Sequence, residues 1–184
     1  NPYLADNPDN RMQEFDALVS RTHKAGLKLI IDFVPTHVSR DGASGIPTCG
    51  YSDYDWTDTL KTDYTHPDTW TKLLDILEFW ASKGVDGFRC DMIEMVPSDF
   101  LAWAIRKVKS AHPGVIFIGE AYGRHNYPLY LREVGFDLIY DKSGYYDSVR
   151  SIQKGMTVET LTWNWQSLGP LQDGMLNFLE NHDE

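Results

Sequence analysis

The chain has 184 residues, 42% hydrophobic and 13% aromatic, enough to bury a sizeable core and too apolar for a disordered polymer. Its 27 acidic against 17 basic residues leave a formal charge of −10. That balance argues against nucleic-acid and anionic-membrane partners and suits a neutral polar ligand such as a sugar.

The opening Asn1-Pro2-Tyr3 has no charged and apolar leader of the signal-peptide kind, no apolar run is long enough to span a membrane, and the compartment (secreted, periplasmic or cytoplasmic) is left open. From Arg11 to Ala25 apolar residues recur at Met12, Phe15, Leu18 and Val19, with Asp9 and Asn10 as caps and Gly26 as the stop, which predicts an amphipathic helix. A strand over Leu27–Val34 follows. Ser39 to Thr65 loses periodicity and collects Gly, Pro, Asp, Thr and Tyr, as a long functional loop or small inserted subdomain does. Helical spacing returns from Pro67 to Lys83, with Trp70, Leu73, Leu74, Leu77, Trp80 and Ala81 on one face. Next come a strand over Val85–Asp91, a helix from Asp99 to Ser110 capped by Ser98, and a strand over Val115–Glu120. A short helix near Pro128–Val134, a strand over Phe136–Asp141, one or two helices between Tyr145 and Leu168, and a strand from Met175 towards Asp183 complete the chain. Cys49 lies in a polar loop and Cys90 inside a strand, so no disulfide is expected between them.

Acids gather at the strand ends: Asp32, Asp91, Glu120, Asp141 and Asp183. Buried parallel strands cannot carry charge in their middles, but their carboxyl ends open onto the loops where active sites are built. Any single strand-end acid is equally well a helix cap or an ion-pair partner. In Val85-Asp86-Gly87-Phe88-Arg89-Cys90-Asp91 the alternation of side chains puts Arg89 and Asp91 on one side, where the guanidinium can hold the acid ionised. Strand–helix alternation implies an α/β fold with a parallel sheet, either doubly wound or a closed (β/α)8 barrel. No glycine-rich nucleotide fingerprint follows any strand, which favours the barrel.

Four segments, Asp32-Phe33-Val34-Pro35-Thr36-His37, Gly87-Phe88-Arg89-Cys90-Asp91, Gly119-Glu120-Ala121 and Phe178-Leu179-Glu180-Asn181-His182-Asp183, resemble in order and spacing the signature regions of the α-amylase superfamily, glycoside hydrolase family thirteen. In that family they end the third, fourth, fifth and seventh strands of a TIM barrel. The resemblance spans nearly the whole chain. It implies a partial barrel from about helix 2 to strand 7, with residues 39–65 as the inserted loop region after strand 3. It further implies a retaining α-glycosidase that acts on starch, glycogen or maltooligosaccharides through a covalent glycosyl-enzyme.

The resemblance makes Asp91 the nucleophile, Glu120 the general acid and base, and Asp183 the third acid that orients sugar hydroxyls. Arg89 would keep the nucleophile ionised, His37 and His182 would hydrogen-bond the sugar, and Asp32 would support the first region. Asn181 and Tyr122 complete the implied substrate-binding set. Tyr51, Tyr54, Trp56, Tyr122, Trp163 and Trp165 could stack on sugars or fill the core.

Two departures from the family stand out. Thr36 occupies the place of an Asn whose carbonyl is a usual calcium ligand, and a hydroxyl is a poorer ligand, so calcium is left in doubt and no other cofactor is expected. Glu94-Met95 replaces the Lys-His pair that commonly follows the nucleophile. The rival readings are an α-glucan transglycosylase of the same superfamily, a non-catalytic barrel-like binding subunit, and a metal-dependent hydrolase using His37 and His182. The binding subunits typically lack one of the three acids, and no His-x-His or His-Glu-x-x-His spacing supports a metal hydrolase. The expected partner is an α-glucan, with no nucleic acid and no membrane. Five strands cannot close an eight-stranded barrel, so self-association through unpaired strand edges is also expected.

Overall fold

The computed structural model describes residues 7–183; the opening Asn1-Pro2-Tyr3 lies outside them. A single turn, Pro8–Asn10, leads into α1 (Arg11–Lys24). The cap is Asn7, whose side chain accepts from the Asp9 amide, while Asn10 makes no side-chain cap bond and so does not play the role expected of it. The strands that follow are short. They are β1 (Ile30–Phe33), β2 (His37–Ser39) and β3 (Thr59–Lys61), then, after α2 (Thr69–Ser82), β4 (Gly87–Cys90). After α3 (Ser98–Ala111) come β5 (Ile116–Gly119), a π-helical turn at Leu129–Val134 and β6 (Leu138–Tyr140). Finally α4 (Asp147–Gln153) and α5 (Glu159–Leu168) precede β7 (Met175–Leu176). Ser98 is the first residue of α3 and not its cap; Pro97 holds the cap position and no side-chain cap bond forms.

The main sheet is wholly parallel, in the order β1-β4-β5-β6-β7. Each new strand adds beside the one before it and the order never reverses. A doubly wound sheet reverses at a switch point, so the observed order is that of a singly wound, barrel-like sheet. β3, inside the 39–65 stretch read as an aperiodic loop, pairs antiparallel with β2, whose last residue, Ser39, begins that stretch.

Alternation along the strands separates two faces. Phe33, Phe88, Cys90, Phe117 and Ile139 face the helices and pack with Leu73, Leu77, Phe100, Leu101, Ile105 and Val108 into one core. Asp32, Arg89 and Ile118 share a row across β1, β4 and β5 on the opposite face. Gly84, in the left-handed region at φ 87°, ends α2 and turns the chain into β4, and a Cβ there would press on Val19. Met175 begins the last strand as expected, but the strand ends at Leu176, and residues 177–183 run on without regular structure. Phe178 pins that segment by stacking on Tyr146, with ring centroids 5.1 Å apart, and by meeting Tyr140 edge-on. Cys49 and Cys90 are free, and burial pushes the Cys90 thiol up. No described helix is long and apolar enough to cross a membrane.

Candidate active site

β1, β4 and β5, adjacent in the sheet, each deliver a charged group at or just beyond the carboxyl end. Arg89 is the third residue of β4 and only 7% exposed, so its charge must be met by anions in place of water. It is met by three. Nη1 lies 2.7 Å from Asp91 Oδ1, Nη2 lies 3.0 Å from Glu120 Oε2, and Nε lies 3.7 Å from Asp32 Oδ1. The sequence expectation that Arg89 and Asp91 share a side holds. One guanidinium thus bridges the two carboxylates that end β4 and β5, one through each terminal nitrogen, which the single ammonium of a lysine could not do in the same fixed fork.

Glu120 is 4% exposed and has further donors: the Met92 amide at 3.0 Å on Oε2 and the Tyr122 hydroxyl at 2.8 Å on Oε1. Asp91 is titrated upward from the ordinary carboxylate value. Burial is the largest cause and the Glu120 charge adds to it, and together they outweigh the downward pull of the Arg89 hydrogen bond. The guanidinium therefore pulls the proton affinity of Asp91 down, as its charge requires, while burial and Glu120 push it up further. Desolvation at the end of a buried strand is the reason.

A cleft of about 450 Å³ opens above this pair. Asp91, Glu120, Asp183, His37, His182 and Tyr122 all line it, together with Thr36, Trp56, Asp58 and Met92. Residues from five separate stretches of sequence therefore meet at one place. Asp32 does not line the cleft: its register beside Arg89 aims it at the guanidinium, with the side chain 61% exposed. Asn181 is also absent from the wall; its Oδ1 accepts from the Asp183 amide at 2.9 Å, making the turn that presents Asp183. His182 Nε2 lies 3.2 Å from Asp183 Oδ2. Asp141, another strand-end acid, is fully buried away from the cleft and accepts from the Tyr145 amide and the Asn164 side chain, the capping role.

Of the aromatic candidates, Trp56 and Tyr122 line the cleft, and Trp56 meets the His37 ring edge-on at 5.0 Å. Tyr51, Tyr54, Trp163 and Trp165 are exposed outside it. Two features escaped sequence reasoning. Asp53 lies 3.2 Å from His37 Nε2 and 3.0 Å from Lys61 Nζ, tying the 39–65 stretch to the cleft. Glu94 accepts from the Tyr122 and Gly123 amides and from Asn126 Nδ2. Its departure from the family pair was the only sequence signal pointing to it.

Thr36 Oγ1 and Thr62 Oγ1 are buried without a hydrogen-bond partner, and so is Asp53 Oδ2, although it lies 3.0 Å from Lys61 Nζ as an ion pair. Among the described residues no group of three or more His, Cys, Asp or Glu side chains could hold a metal.

No family model matches the chain. The alpha-1,4-glucan:maltose-1-phosphate maltosyltransferase of Cereibacter sphaeroides is 30% identical over 146 residues, which are 70% of this chain and 22% of that protein. The maltosyltransferase of the same name from Myxococcus xanthus is 35% identical over 88 residues, 46% of this chain and 13% of that protein. An alpha-amylase structure from Lactobacillus plantarum superposes with a TM-score of 0.78 at 27% identity, covering 94% of this chain and 47% of that one. The chain therefore spans under a quarter of these curated relatives and under half of that solved structure. With the sheet order, the four motifs at its strand ends and these likenesses together, the chain belongs to the α-amylase superfamily, glycoside hydrolase family thirteen.

Proposed function

We propose that this chain carries the catalytic carboxylates of a retaining enzyme acting on α-linked glucans, starch or maltooligosaccharides, as a glycosidase of the α-amylase type. The observation that carries the reading is the sharing of one buried guanidinium by Asp91 and Glu120 at the floor of a sugar-sized cleft. Cleaving an acetal needs one group to protonate the leaving oxygen and another to attack the anomeric carbon. Asp91, once ionised, is the nucleophile: its oxygen bonds to the anomeric carbon as Glu120 gives its proton to the departing oxygen. Glu120 then takes a proton from the incoming hydroxyl compound, which displaces Asp91. Asp183 and the two histidines hold sugar hydroxyls, and Trp56 and Tyr122 offer ring faces.

Water as the second reactant gives hydrolysis, and a sugar hydroxyl gives transfer. The maltosyltransferase names of the curated relatives support transfer as a second reading. Product analysis on starch, pullulan and maltooligosaccharides, with and without maltose 1-phosphate as donor, tests the two. New reducing ends without chain lengthening support hydrolysis, lengthened chains support transfer, and neither product from a folded, complete protein overturns the proposal.

In this reading residues 1–184 are part of a (β/α)8 barrel domain, with 39–65, which contains β3, as the insertion after the third barrel strand. Three barrel strands and the closing of the sheet would come from outside these residues, so the isolated chain is proposed to be inactive or nearly so.

A further inference from the structure

The loops that carry the two carboxylates are tied to each other in both directions. From the first loop, just beyond β4, the Met92 amide donates to Glu120 Oε2 at 3.0 Å and the Ile93 amide to the Glu120 carbonyl at 3.0 Å. Met92 reaches this position in the left-handed region, at φ 41°, which a non-glycine residue adopts only under local constraint. In the opposite direction Glu94 accepts three donors of the second loop. They are the Tyr122 amide on Oε2 at 2.9 Å, the Gly123 amide on Oε1 at 3.1 Å, and Asn126 Nδ2 on Oε1 at 2.8 Å. A Cβ at Gly123 would run into Glu94 Oε1, so the glycine lets the backbone close on the carboxylate. The same Tyr122 sends its hydroxyl to Glu120 Oε1 at 2.8 Å.

We propose that Glu94 is a positioning residue for the Glu120 carboxyl, acting through Tyr122. The Glu94 carboxylate fixes the backbone of Tyr122, the phenol then stands on Oε1 of Glu120, and Met92 and Arg89 hold Oε2, so neither oxygen can rotate away from the bond to be protonated. This rests on the reading of Glu120 as the proton-transfer group. Charge-assisted bonds to backbone amides are stronger than neutral ones, and a group misplaced by a fraction of an ångström loses much of its catalytic advantage. A lysine at this position, as is common in the family, could not accept these amides.

The test has two readouts on Glu94→Ala, Glu94→Gln and Tyr122→Phe. The first needs no catalysis: a carbon-13 label at Tyr122 Cζ reports the hydrogen bond of its hydroxyl. Glu94→Ala is expected to move that signal towards the value of a water-exposed tyrosine. Glu94→Gln, which keeps one acceptor but turns an NH2 towards a second donor, is expected to give an intermediate shift. Melting curves identify the folded variants, and if Glu94→Ala does not fold, Glu94→Gln decides. The second readout uses a protein carrying this chain that turns over maltooligosaccharides. There Glu94→Ala is expected to lower kcat about tenfold with KM changed by less than about twofold, and Glu94→Ala with Tyr122→Phe to be no worse than the worse single variant. An unmoved Tyr122 signal in a folded variant, or losses that multiply, would overturn the proposal. A Tyr122 signal that responds to Glu94 in a complete protein that turns over no glucan would instead sink the glycosidase reading and leave the Glu94–Tyr122–Glu120 linkage standing.

Discussion

Asp91 sits between opposed influences, and its position makes a measurable demand on pH. Because burial and Glu120 raise its proton affinity above the ordinary carboxylate value, the acid limb of kcat/KM should lie above the range of an exposed aspartate, provided Asp91 must be ionised to attack. The stability consequence runs in a definite direction. A carboxyl whose folded value is raised binds more protons folded than unfolded, so its contribution is fully present below the unfolded value and is lost as pH rises through the folded one. Asp91→Asn removes that loss. The melting temperature of the variant relative to the parent should therefore increase from pH 4 to pH 7, and a constant difference across the two would contradict the assignment. In a complete enzyme Asp91→Asn and Glu120→Gln should each abolish nearly all turnover while maltooligosaccharide binding by calorimetry persists, since both groups act chiefly on the transition state.

Elements are fixed to one another by a few polar stitches, and two are open to test. Asp86, just before β4, accepts His23 Nε2 at 2.7 Å, Lys28 Nζ at 3.0 Å and the Leu29 amide at 2.8 Å, joining α1 and β1 to the base of the sheet. Burial pushes its carboxyl up, but the Leu29 amide, His23 and Lys28 together outweigh it and hold it at about 2. A depressed carboxyl stabilises above its unfolded value and loses that contribution as pH falls towards the folded one, so the stitch should weaken between about pH 4 and pH 2. Asp86→Asn should flatten this part of an acid-unfolding curve. The second stitch is at Gly144, where an added methyl would overlap both Asp141 Oδ1 and Asn164 Oδ1, so Gly144→Ala should cost about 1–3 kcal/mol in denaturant unfolding. Much of this layer was legible in the sequence. Helical periodicity located α1, α2 and α3 to within a few residues, and strand–helix alternation announced the parallel sheet. The acids were harder to read. Asp91, Glu120 and Asp141 all end apolar runs, yet Asp141 caps a turn, because the difference depends on what packs above each strand end. Residues 177–183 look like strand by composition but are held by Phe178 stacking, which no periodicity encodes.

At the scale of the whole molecule, the two outer strands govern behaviour. Among the described residues β1 has no partner on its far side, and Leu27, Ile30 and Val34 around it are exposed, while β7 at the other edge is two residues long. An apolar parallel edge with free amides and carbonyls invites another chain. The isolated chain should therefore elute as a concentration-dependent oligomer in sizing chromatography with light scattering, show little release of reducing sugar from starch, and be shifted towards monomer by Ile30→Lys. A stable monomer with full activity would refute both the association and the partial-barrel reading. The sequential strand order also bears on how the site comes into being. Arg89, Asp91, Glu94 and Glu120 all belong to the single unit β4-α3-β5, whose strands are neighbours in the chain as well as in the sheet. Short loops close at low entropic cost, so this charge cluster can assemble early during folding, even while the polypeptide is still being synthesised. His182 and Asp183 must wait for the last strand, so under the proposed function the cleft would gain its grip on a sugar only after the carboxylates meant for proton transfer are already in place.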